Sequence, residues 1–96
     1  VTYNVKYIGG KVSVVLQVAN LTDEMCMQMV TTNWGTPGTS GFIGVSVGDE
    51  VDAVNKGEVN DAVAIVGNKT HPAPMGVGTA AKACGSNNNI VNLSFK

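Results

Sequence analysis

Apolar and polar residues alternate along most of this chain in short runs, and clusters of Gly, Asn and Pro separate the runs. A period of two is the signature of strands with one buried face. Thr2 to Ile8 predicts a first strand with Tyr3, Val5 and Tyr7 on one face, and Gly9-Gly10 is a hairpin signal. Lys11 to Ala19 predicts the second strand, with Val12, Val14, Leu16 and Val18 together and Ser13, Val15 and Gln17 opposite. Asn20-Leu21-Thr22-Asp23 supplies the next turn. A third strand follows, placing Met25, Met27 and Met29 on one face and Cys26, Gln28 and Val30 on the other. The same stretch has a helical reading, because Leu21, Met25 and Met29 fit an i, i+4 stripe and Asn20 with Asp23 resembles a cap. The β-branched run Val30-Thr31-Thr32 and the preceding turn favour the strand.

Beyond it, Trp34 to Gly41 is a loop rich in Gly, Pro, Thr and Ser, and Phe42 to Val47 is a short strand. Gly48 to Lys56 holds a turn and room for a further strand, and Gly57 to Asp61 turns again. Ala62 to Val66 is a nearly continuous apolar run, as expected of a buried strand. Gly67 to Gly78 is a long loop containing Pro72 and Pro74. Thr79 to Cys84 is Ala-rich and fits either a helical turn or a strand. Gly85 to Asn89 turns, and Ile90 to Phe95 is the last strand. About seven short strands spaced by turns predict an all-β fold, a small antiparallel β-sandwich. If Leu21–Val30 and Thr79–Cys84 are both helical, the order approaches β-α-β-β-α-β, an α+β two-layer sandwich. In element order alone, that alternative is similar to small killer toxins and secreted fungal effectors.

Composition narrows the class. Ninety-six residues suit a single domain spanning 1–96 with a small core. Hydrophobic residues make up 44% and charged residues only 14%, so uncharged polar groups must cover much of the surface. The net charge is −1, with six basic and seven acidic residues. That balance lacks the basic footprint of a nucleic-acid binder, and no apolar run reaches the roughly 18 residues of a membrane span. The first residue is Val1, which fits a mature, secreted form. Cys26 and Cys84 fit one disulfide in an oxidising, extracellular compartment, two buried thiols being the alternative. Such a bond would close a loop of about 60 residues and contribute about 4 kcal/mol in the chain-entropy model. Asn20, Asn68 and Asn92 begin Asn-x-Ser/Thr sequons. Asn20 falls in an expected turn and Asn68 in an expected loop, whereas Asn92 falls in an expected strand and is a poor glycan acceptor.

The candidate chemistry is sparse. Gly44-Val45-Ser46-Val47-Gly48 matches the nucleophile elbow G-x-S-x-G, but an elbow needs a strand-to-helix turn and a positioned His. Here the motif lies in an alternating strand, and His71 is the sole histidine. Met25, Cys26, Met27 and Met29 offer soft ligands for Cu(I), although methionines more often fill cores. Asp49, Glu50, Asp52, Glu58, Asn60 and Asp61 form an acidic cluster able to supply oxygen ligands to Ca²⁺, or simply a charged edge that deters strand pairing. Trp34 with Thr36, Thr39 and Ser40 makes a sugar-binding shelf if the indole face is exposed; otherwise Trp34 plugs one end of the core. Without a paired base or an activated thiol, no catalytic set assembles.

The residues thus point to a secreted, non-enzymatic recognition domain, lectin-like or effector-like. It would act by surface binding of a glycan or protein ligand, with Trp34, Thr36, Thr39 and Ser40 as the binding residues and no cofactor or metal. A small secreted toxin and a self-assembling surface or coat protein are the alternatives. Near-zero net charge makes a homo-oligomer compatible with either.

Overall fold

The computed structural model describes residues 2–7, 9, 14–32, 34, 41–51, 53–57, 60–85 and 88–96. In chain order the elements are β1 (Thr2–Tyr7), β2 (Val14–Leu21), α1 (Asp23–Thr31), β3 (Phe42–Val47), α2 (Ala53–Lys56), β4 (Val63–Ile65), α3 (Val77–Ala83) and β5 (Asn89–Phe95). The strands form one sheet in the order β1-β2-β5-β3-β4, and every neighbouring pair is antiparallel. The fold is β-rich, as the alternation predicts. Among the described residues, however, helices rather than a second sheet cover its faces, in place of the expected β-sandwich. The observed order β-β-α-β-α-β-α-β also differs from the β-α-β-β-α-β alternative, although both include helices in the two ambiguous stretches.

Register assigns side chains to faces, because directly opposed residues in antiparallel strands share a side of the sheet. Leu16, Leu93 and Val45 line up across β2, β5 and β3, as do Val18, Val91 and Val47. This face packs against α1 and α3 through Cys26, Val30, Ala80 and Cys84, all essentially buried. On the other face, Val15, Ser94, Gly44 and Ile65 align, followed by Gln17, Asn92, Ser46 and Val63. There the short α2 closes a smaller core with Ala53 and Val54. Gly44 lets α2 come close: a Cβ at that position would lie 2.6 Å from the Ala64 carbonyl oxygen and 3.1 Å from Val54 Cγ1. A register shift between Phe42 and Gly44 turns Phe42 to the α1 side, where its ring centroid lies 5.6 Å from that of Phe95. Ile43 packs instead against the α2 core.

The stretch Leu21–Val30 is the main departure from expectation. Leu21 ends β2, and α1 replaces the third strand. The Met25–Met27–Met29 alternation is outweighed by helix-end chemistry. Thr22, not Asn20, is the N-cap: its hydroxyl accepts from the Met25 N–H at 3.2 Å, and Asp23 and Glu24 occupy the first turn, where carboxylates complement the helix dipole. The last carbonyls, which a helix leaves unpaired, also find donors. Thr31 Oγ1 donates to the Met27 carbonyl, Thr32 Oγ1 to that of Gln28, Trp34 Nε1 to that of Met29 and the Met75 N–H to that of Val30. The threonines read as strand formers are therefore helix-terminating groups. Cys26 and Val30, one turn apart, then point into the core.

Cys26 and Cys84 form the expected disulfide, with a Cα–Cα distance of 5.7 Å. It ties α1 to the end of α3. α3 begins at Val77, earlier than the ambiguous Thr79–Cys84 segment, and α2 replaces the further strand expected before Lys56. The second strand runs on through Leu21, with Asn20 at φ 60 beside a register shift. Asn tolerates this left-handed region better than most residues.

Candidate functional site

Among the described residues the helical layer does not span the sheet. α1 contacts α3 and β5 and reaches β2 only at its margin. β1 lies beyond that margin at the sheet's edge. Its register with β2 sets Tyr3 opposite Val18, Val5 opposite Leu16 and Tyr7 opposite Val14. The alternation that predicts a core face is therefore real, but α1 does not cover it. Tyr3, Val5 and Tyr7 are 67%, 70% and 85% exposed.

The step between the flank of α1 and this uncovered edge is a groove of about 370 Å³. Its floor is Leu16, Val18 and Leu21 of β2 with Leu93 of β5. Tyr3 forms one lip. Met25, Gln28 and Met29, one flank of α1, form the opposite wall with the C-cap Thr32, and Trp34 closes the end. The volume lies toward the small end of ligand sites, large enough for an aromatic or branched aliphatic group. The surfaces offered are thioether, indole and aliphatic, and among the described residues the side-chain polar atoms are those of Tyr3, Gln28, Thr32 and the indole N–H. That N–H is already committed: Trp34 Nε1 donates to the Met29 carbonyl at 2.8 Å. The bond fixes the ring against the helix end and leaves its apolar body toward the groove. Such a lining can hold an apolar group by burial and dispersion, and its methionines can adapt to the shape of that group.

The structure keeps Trp34 and changes its neighbourhood. Trp34 is half-buried in the groove wall, and its partners are Met25, Met29 and β-strand residues. The other expected shelf residues, Thr36, Thr39 and Ser40, lie outside the described residues. Sequence reasoning missed Tyr3, Leu16, Val18, Met25, Gln28, Met29, Thr32 and Leu93 as a set. The one available signal was the Leu21–Met25–Met29 helical stripe, all three of which line the groove.

The remaining candidates are separated by the fold. Ser46 of the G-x-S-x-G match is buried in mid-strand on the α2 face. Its hydroxyl accepts from Asn92 Nδ2 at 3.2 Å, and that amide also donates to the Gly48 carbonyl at 2.8 Å. Asn92 Oδ1 accepts from Gln17 Nε2 at 3.0 Å, so this polar set braces the sheet. His71 Nε2 is 3.4 Å from Asp61 Oδ1, and its Nδ1 is 3.2 Å from Thr70 Oγ1. Thr70 and His71 border a small cleft of about 80 Å³, which Asp61 does not line. The soft-ligand cluster is broken up: Cys26 is in the disulfide, Met25 and Met29 face the groove, and Met27 packs on the core. In the acidic stretch Glu50 pairs with Lys56, and Asp52 and Glu58 lie outside the described residues. Among the described residues no three His, Cys, Asp or Glu side chains are grouped to hold a metal ion, and no helix is long and apolar enough to cross a membrane. Asn92 is fully buried, with no space for a glycan. Asn68 is half-buried, its Oδ1 accepting from Thr70 and His71, and Asn20 is exposed.

No protein-family model, curated protein or solved structure matches this chain. The functional reading therefore rests on its own residues.

Proposed function

We propose that this chain is a secreted, non-enzymatic recognition domain whose contact site is the groove between α1 and the β1–β2 edge, and that it takes an apolar side chain of a protein ligand. The observation that carries the reading is the lining itself. Met25, Met29, Trp34, Leu16 and Val18 converge on a solvent-open cleft in which, among the described residues, no charged side chain takes part. A sugar site needs a ring face bordered by several hydrogen-bonding groups; this lining favours an aromatic or aliphatic anchor instead. The buried disulfide supports an oxidising, extracellular setting.

A phage-displayed random peptide library, panned in parallel with a glycan array, tests the reading. Peptides carrying a Trp, Phe or Leu anchor should be enriched. Met25→Asp should weaken them at least tenfold with the far-ultraviolet circular dichroism unchanged, because Met25 is 41% exposed and an acidic residue in a helix's first turns is tolerated. Glycan binding without peptide enrichment would reassign the site to sugars. Enrichment that survives Met25→Asp, or binding by neither probe, would remove the groove as the recognition site.

A further inference from the structure

The geometry points to a second docking surface, independent of what the groove binds: the free edge of β1, whose partner is a second copy of this chain. Among the described residues β1 hydrogen-bonds only to β2, so its other edge offers unpaired N–H and C=O groups over Thr2–Tyr7. An exposed, partly apolar edge is a template for another strand. What selects a second copy is the strand's match to itself. Opposed residues in an antiparallel pair share a face. The stripe Tyr3, Val5, Tyr7 therefore continues across the junction only where odd-numbered residues oppose odd-numbered ones.

Two such registers lie near the strand's centre. With Asn4 on the two-fold axis, Tyr3 meets Val5 and Tyr7 is left over. With Val5 on the axis, Val5 meets Val5, Tyr3 meets the second copy's Tyr7 on both sides, and Asn4 meets Lys6. The second register pairs every exposed apolar residue of the strand and opposes no like charges. It is isologous, as a closed dimer requires. A net charge of −1 per chain adds little repulsion.

Size sets the strength. From their exposures, these three side chains offer roughly 400 Å² per copy, taking Tyr at about 200 Å² and Val somewhat less. That is about half of the roughly 800 Å² per partner in a standard stable interface, so the dimer should be reversible. Its sheet would run β2-β1-β1-β2 through the centre, uncovered by helix and walled by the two α1 helices. The second copy's Tyr7 would stand beside Tyr3, the lip of the groove.

Sedimentation equilibrium over a wide concentration range tests this, with three variants. The intact chain should pass from monomer to dimer as concentration rises. Val5→Lys and Val5→Glu, each at a highly exposed position, should each weaken self-association at least tenfold by placing like charges on the axis. An equimolar mixture of the two should recover dimer, and added salt should weaken that recovery. Val77→Lys, at an apolar position of similar exposure on α3, should dimerise like the unmodified chain. A chain that stays monomeric at millimolar concentration overturns the proposal. So does a dimer that Val5→Lys leaves intact, or a charge-swapped mixture that remains monomeric.

Discussion

Asn92 carries the most at the scale of one residue. It is fully buried and meets Gln17, Ser46 and the Gly48 carbonyl. Truncating it strands those partners inside the sheet, and an unsatisfied buried polar group costs about 1–3 kcal/mol. Asn92→Ala should therefore lower the unfolding free energy by about 2–4 kcal/mol in urea titrations, given several partners and the lost packing. Ser94, two residues on and equally buried, has no hydrogen-bond partner among the described residues. Ser94→Ala should be neutral or stabilising in the same titration, since it removes a hydroxyl already dehydrated without compensation. Gly44→Ala should cost several kcal/mol, comparable to severe overpacking, because its Cβ would strike the Ala64 backbone. The sequence showed that Ser46, Asn92 and Ser94 sit in strands with a period of two. It could not show that α2 covers their side, and so could not tell a buried brace from a wet face.

At the scale of elements, most strands were legible, whereas α1 and α3 were legible only as alternatives to strands and α2 not at all. β1, β3, β4 and β5 fall where alternation or an apolar run places them, because a half-buried strand repeats every two residues over enough length to be read. α1 has nine residues, and over so short a window a Met at every second position imitates a strand while Cys26 and Val30 trace a helix. Its ends decide the matter through contacts with other parts of the chain. Trp34 and Met75 donate to its final carbonyls, and no local pattern announces the Met75 contact. The N-cap is a local signal, and it has a measurable consequence. Thr22→Ala should destabilise the protein by about 1 kcal/mol, whereas Thr22→Asp should stay within a few tenths of the parent, since both Thr and Asp can accept from the N3 amide. Equal losses in thermal melts of the two variants would show that the hydroxyl–amide bond to Met25 contributes nothing. The candidate site was half legible for the same reason. Trp34 stood out, but its wall exists only once Met25 and Met29 share a helix flank.

For the whole molecule, the question is whether two cores on opposite faces of one sheet melt together. The larger core joins β2, β3 and β5 to α1 and α3, and the smaller joins Val15, Val63 and α2. They share β2, β3 and β4: Val18, Val45 and Ala64 enter the larger core, whereas Val15, Ile43 and Val63 enter or pack against the smaller. Loosening one face therefore removes the support of the other. The disulfide spans only the helical side, bridging residues 58 apart in sequence, and the loop-entropy model assigns it about 4 kcal/mol. Replacing both Cys26 and Cys84 with Ala should lower the midpoint by roughly 15–30 °C, at about 4–8 °C per kcal/mol for a domain of this size. The effect should reach the α2 face although no sulfur lies there. Trp34, the sole tryptophan, reports on the helical side by fluorescence, and far-ultraviolet circular dichroism reports on the sheet. In the parent and in the double variant the two signals should change at one temperature. Fluorescence that shifts well below the circular dichroism in the variant would mean that α1 leaves the sheet on its own. The shared strands would then not couple the two cores.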